Sequence, residues 1–258
     1  VNQHFLRKLP YEPVASFTTT IGVSNTFEFT DLATDPALAY LATVSSEGVS
    51  FSSDFLVLSP VTRTLEAELP IYGITDDPSV LTIDRMHWIV DSQPGALLIA
   101  QIYSFGNSSD RAFTGRTVED VDQPVTAAIV LPPGAVEVTM DSGTIGDRFQ
   151  QVGDVIYDTL PVVPGAETRR IIAQYAVPYA GASVALAQEF LNPVADANLL
   201  IADLPDLKVE SADMVFDSTA DMQGQAYQVW RQQGMEPGTA TVNLEGLLEA
   251  GAMDPRAA

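Results

Sequence analysis

Short runs of alternating apolar and polar residues, cut every few positions by Gly, Pro, Asn or Asp, dominate this chain and leave little room for helices. Alternation with a period of two sends successive side chains to opposite faces of an extended strand, one toward a core and one toward water. Val49, Phe51, Phe55 and Val57 share one parity, with Ser50, Ser52 and Asp54 on the other. Leu65, Ala67, Leu69 and Ile71 share a face against Thr64, Glu66 and Glu68. Ala96 to Phe105 is apolar on both parities apart from Gln101, which predicts a central strand covered on both sides. Val125 to Leu131, Arg170 to Val177, Val184 to Leu191, Tyr227 to Arg231 and Ala240 to Leu244 add further strands. Pro132-Pro133-Gly134, Pro164-Gly165 and Pro237-Gly238 supply turns between them. Leu244 to Met253 is the one stretch compatible with a short terminal helix. The expected fold class is all-β, with two antiparallel β-sandwich domains and little helix.

The segment from Gly73 to Ser79 is polar, with Asp76, Asp77 and Pro78 in a row, and is read as a boundary. It separates a smaller domain, residues 1–72, from a larger one, residues 79–246, followed by a tail, residues 247–258. A chain of 258 residues can bury a core in each part without covalent staples.

Charge narrows the partners. The chain carries 34 acidic and 12 basic residues, a net charge of -22. Such a surface repels phosphate backbones and anionic lipid, which argues against nucleic-acid binding. There are no cysteines, so disulfides and thiolate chemistry are excluded. The first residue is Val1, and no basic segment followed by an apolar one opens the chain, so it reads as mature or trimmed. No apolar run reaches the roughly 20 residues of a membrane span, although an anchor beyond Ala258 is compatible with the sequence.

Phe27-Glu28-Phe29-Thr30-Asp31-Leu32, followed by Tyr40-Leu41-Ala42-Thr43-Val44, resembles a carboxypeptidase regulatory-like domain, a small sandwich of transthyretin or collagen-adhesin B type. The shared pattern is F-x-F-x-x-L, a turn, then Y-x-x-x-V, and the resemblance covers residues 1–72. Val1-Asn2-Gln3 and Pro13-Val14 resemble that domain's first strand and turn, while its usual Thr-Gly turn is absent. The later elements Ile102 to Asn107, Asp110-Arg111, Leu131 to Ala135 and Asp158 to Pro161 resemble uncharacterised exported bacterial envelope proteins, in which a second β-sandwich follows such a domain. The resemblance implies an architecture and a place outside the cytoplasm, and brings no activity with it.

Few residues are suited to catalysis. His4 and His87 are the two imidazoles, and His87 lies in a strand where Asp84 and Asp91 fall on the opposite parity, so no local acid orients it. No G-x-S-x-G elbow is present. Acid clusters occur at Asp76-Asp77, at Asp203 with Asp206, and at Glu119, Asp120 and Asp122; the last is the best candidate for Ca²⁺, although none has the EF-hand order. Asn107-Ser108-Ser109 is a glycosylation sequon expected on a loop. Arg111 and Arg148 are expected in inter-strand ion pairs. Trp88, Tyr103, Tyr157, Tyr179 and Trp230 would stack sugars if exposed, but their apolar neighbours favour core packing. The expectation is a non-enzymatic structural or assembly protein of the bacterial surface, with no cofactor other than Ca²⁺, that self-assembles or binds other proteins. A carbohydrate- or protein-binding module is the alternative, and a hydrolase accessory protein the second alternative.

Overall fold

The structure is a computed structural model that describes residues 15–222, 224–254 and 256. It is all-β, with no α-helix among the described residues. None of its helical segments is long and apolar enough to cross a membrane. Two units divide the chain, Val1–Ile71 and Tyr72–Ala258. His4, Val1-Asn2-Gln3 and Pro13-Val14 lie outside the described residues.

In the first unit, β1 (Thr43–Ser46) and β2 (Val49–Ser52) form an antiparallel hairpin. Glu47 and Gly48 turn it with positive φ values of 50° and 81°. Val49 and Phe51 point inward as the alternation predicts, but Phe55 and Val57 are 55% and 46% exposed. A bulge explains the change. Thr43 pairs with Ser52 and Tyr40 bridges Leu56, so one strand spends one more residue than the other between the two pairs. One extra residue reverses the parity of everything beyond it. In Leu65 to Ile71 only Ala67 and Leu69 are half-buried, Leu65 and Ile71 are exposed, and the stretch belongs to no strand. Phe27 and Phe29 meet edge to face at 6.1 Å outside any ladder.

The second unit is built on a seven-stranded sheet. Its members are β4 (Leu81–Gln93), β5 (Ala96–Asn107), β8 (Val136–Met140), β11 (Gly165–Pro178), β13 (Val194–Ala202), β15 (Val215–Met222) and β16 (Gln225–Met235), in the order β15-β16-β13-β4-β5-β11-β8. All neighbours run antiparallel except β13 and β4, which are parallel. Two three-stranded sheets complete the sandwich. One is β12 (Ser183–Phe190), β17 (Gly238–Glu245) and β14 (Lys208–Ser211); the other is β7 (Ala127–Val130), β10 (Val155–Asp158) and β9 (Phe149–Val152). Ile83, Trp88, Leu97, Phe105, Leu199 and Ile201 of the large sheet share one core with Ile129, Phe149, Ile156, Leu186 and Val242 of the small ones.

The presumed boundary segment is tied into this second unit. β3 (Ile74–Thr75) pairs with β6 (Ala112–Phe113), and Asp77 caps a short 3-10 turn by accepting a hydrogen bond from Ser79 N at 2.9 Å. Leu244 to Met253, the stretch compatible with a terminal helix, does not form one: Leu244 and Glu245 end β17, and residues 246–253 form turns and extended chain.

Candidate interaction surface

The most informative departure from the sequence concerns β5. Leu97, Ile99, Gln101, Tyr103 and Phe105 are buried, as expected for one face of a central strand. The other face carries Leu98, Ala100 and Ile102, and it is not covered: Leu98 is 39% exposed, and Ala100 and Ile102 remain partly open. The expectation of cover on both sides is therefore corrected. The second apolar face forms part of a surface.

Residues opposite one another in a ladder share a face, so the pairings map this surface. Ile102 stands between His87 and Ile172. Ala100 stands between Ile89 and Gln174, and Ile89 lies abreast of Leu200. Leu98 stands between Asp91 and Ala176, and Ala176 continues to Val136, which is 43% exposed. Ile89, Leu98, Ala100, Ile102, Ile172 and Leu200 all lie outside the inter-sheet core. Single exposed apolar residues are common, but a contiguous patch crossing five strands marks a contact surface.

Charged groups rim the patch in matched pairs. Arg85 bonds Glu167 at 3.1 Å, and Arg231 lies 3.6 Å from Asp217. Arg256 holds both Asp91 and Asp254, closing the far end of the face. His87 sits among these groups with its pKa lowered, first by burial and then by the Arg85 guanidinium. Both edges of the sheet are blunted. On β8, Glu137 has a positive φ of 56° where the pairing with β11 slips. On β15 the register shifts between Phe216 and Ser218. Bulges and acidic side chains discourage strand addition at an edge.

The sequence-derived candidates fare differently. Glu119, Asp120 and Asp122 are exposed on a loop, and among the described residues no group of three metal-capable side chains converges. Asn107 is only 3% exposed. Its Nδ2 donates to the carbonyls of Arg111 and Val162 at 2.7 and 2.9 Å, and its Oδ1 accepts from Ser109 N and Oγ. These bonds lock the turn that the sequon occupies. Arg148 pairs across strands with Asp158. Arg111 instead donates to the Ile74 carbonyl at 3.3 Å. Asp203 accepts from Gln228 at 2.9 Å and so fixes a strand end.

The aromatics do not make a common platform. Trp88 and Tyr103 are 1% exposed in the core. Tyr179 donates to the carbonyls of Gln93 and Leu248 at 2.8 and 2.7 Å, pinning the tail to the β4–β5 hairpin. Trp230 is partly buried and meets Phe216 edge to face at 5.7 Å.

Buried polar groups stitch layers together. Gln101 of β5 donates to Gln188 of β12, and Gln188 donates onward to the Val130 carbonyl of β7 at 2.8 Å. One side-chain network thereby joins all three sheets. Arg169 is less well served: its Nε has no partner and burial lowers its pKa, opposed by the nearby Asp158 carboxylate. In the sequence Gln101 is only a polar interruption of an apolar run; its partner is far away in the chain, and nothing local points to it.

No known family profile matches the chain. No curated protein matches it either. Among solved structures, the chain is similar to an M1 zinc metallopeptidase from Deinococcus radiodurans, with a TM-score of 0.38 and 11% identity over 63% of this chain and 42% of that one. A two-domain M1 zinc metallopeptidase mutant bound to L-arginine gives a TM-score of 0.36 and 9% identity over the same shares of the two chains. The chain thus matches less than half the length of these neighbours, and no residue role is carried over from them.

Proposed function

We propose that this chain is a non-enzymatic structural protein of the bacterial cell surface, held in an assembly through the open face of its large sheet. The observation that carries the reading is the continuous apolar patch around Ala100 and Ile102 on otherwise central strands. Burying such a patch is the usual driving force for protein–protein contact. The disposition of buried polar groups points the same way. Asn107, Gln101, Gln188 and Asp158 each bond across turns or strands, the pattern of a scaffold. The acidic balance suits a solvated exterior surface. The regulatory-like reading of residues 1–72 belongs to the same proposal.

The test is to fractionate cells of the native source and size the protein under gentle extraction. The reading expects the chain in the envelope or extracellular fraction, in a particle larger than one chain. A cytoplasmic monomer would refute it.

A further inference from the structure

We propose that the outer face of the seven-stranded sheet is a two-fold contact with a second copy of this chain, in which the rows Ile89–Ala100 and Ile102–Ile172 stack on their own counterparts. The inference rests on the assembly reading above and names the partner. Three observations favour a second copy.

The first is charge. Two chains of net charge -22 repel each other over most of their surfaces. The outer face is the exception. It gathers Arg85, Arg170, Arg231 and Arg256, four of the chain's 12 cationic residues, beside the carboxylates of Asp91, Asp196, Glu167, Asp217 and Asp254. A near-neutral face on an acidic body is where two copies can approach. A basic partner, by contrast, would be drawn to the acidic surface elsewhere.

The second is self-complementarity. In a two-fold contact, residue i meets j while j meets i, so a surface must match itself. An apolar centre with a border of both signs does so: Arg85 and Arg170 of one copy can face Glu167 and Asp196 of the other. A border of one sign would not.

The third is size. Five strands about 4.8 Å apart, with four outward rows about 6.8 Å apart, offer roughly 650 Å² per copy. Two such faces would bury about 1,300 Å², within the range of about 1,200–2,000 Å² of specific interfaces. Stacked sheets meet at about 10 Å with side chains interlocked, which Leu98 and Ile102 are long enough to achieve. The bulged edges leave the face as the better route to association.

The absence of cysteine makes the test clean, because one introduced thiol is unique. The full chain is sized by sedimentation at several concentrations and salt levels, beside Ile102→Glu and Leu98→Glu. Single variants L98C, A100C and I102C are treated with a short bis-maleimide, with Q123C on an exposed loop as control. The inference expects a concentration-dependent doubling of mass that added salt strengthens. It also expects at least a tenfold weaker association in both Glu variants at unchanged melting temperature, and cross-linked dimers from at least one face position but not from Q123C. A wild-type chain that stays monomeric throughout, with no face cross-link, overturns it. A dimer that survives both Glu substitutions also overturns it, because the contact then lies elsewhere. If the purified chain is monomeric, yet Leu98→Glu releases it from its native envelope particle, a different protein occupies the face. The second-copy inference then fails while the assembly reading stands.

Discussion

Arg148 grips Asp158 with both arms of its guanidinium: Nε donates to Oδ1 at 2.8 Å and Nη2 to Oδ2 at 2.5 Å. The Asp158 side chain is fully buried and that of Arg148 only 12% exposed. The pair ties β10 to the start of β9, and Arg148 Nη1 also donates to the Ser142 carbonyl at 2.7 Å. Removing one member of a buried pair strands the other charge, at a cost of about 3–5 kcal/mol. Arg148→Met should therefore lower unfolding free energy by roughly that amount, read by urea titration. Replacing both residues, as in Arg148→Met with Asp158→Leu, should cost less than Arg148→Met alone. A single substitution that leaves stability unchanged would show that the pair is solvated.

Gln101 is the polar residue at the centre of the core, and its value lies in its partner. Gln101→Leu would leave the buried Gln188 oxygen without its donor, a loss of about 1–3 kcal/mol. Replacing both residues with Leu should recover part of that loss. Equal stability of the single and double variants would mean that the inter-sheet bridge is not formed in solution.

Gly106 permits a close approach between strands. A Cβ there would meet Asp84 Oδ2 at 2.0 Å, and that same oxygen accepts a hydrogen bond from Glu167 N at 2.7 Å. Gly106→Ala must push Asp84 aside and break the bond, which predicts a loss of about 1–3 kcal/mol. Because the clash is with a side chain, Asp84→Ala with Gly106→Ala should be less damaging than the sum of the two single substitutions. Strict additivity in the double-mutant cycle would contradict the contact.

His87 gives the fold a modest pH dependence. Burial, then Arg85, lowers its folded pKa below the ordinary value of 6.5, so the unfolded chain holds its proton more readily. Its contribution to stability is complete above about pH 6.5 and is lost as pH falls through the lowered pKa. Melting temperature should fall over this window more steeply in wild type than in His87→Gln. Parallel curves would show that His87 has the same affinity for protons in both states.

The sequence made the strands legible where one face is wet. Arg170 to Val177 and Ala240 to Leu244 lie inside β11 and β17, and their alternation matches their burial. β13 carries no alternation in the sequence, for a physical reason. It is central and parallel to β4, and Leu199 to Ala202 is apolar on both parities, which erases the alternation. Alternation alone puts Phe55 and Val57 inside, because a one-residue bulge leaves no mark in composition. The candidate surface was visible in β5 as an excess of apolar residues, but sequence alone does not say which of two apolar faces is covered. The Asn107 sequon shows the converse: the motif names the side chain, whereas its burial and its bonds to Arg111 and Val162 come from parts of the fold that the motif does not describe.

Cover of the outer face in the native assembly is read side chain by side chain by hydroxyl-radical footprinting. Leu98, Ile102 and Ile172 should be oxidised several-fold more slowly in native particles than in the dissociated chain. Phe216, which is 49% exposed away from the face, should react equally in both. Equal oxidation of Leu98, Ile102 and Ile172 in particles and in the free chain would contradict the account.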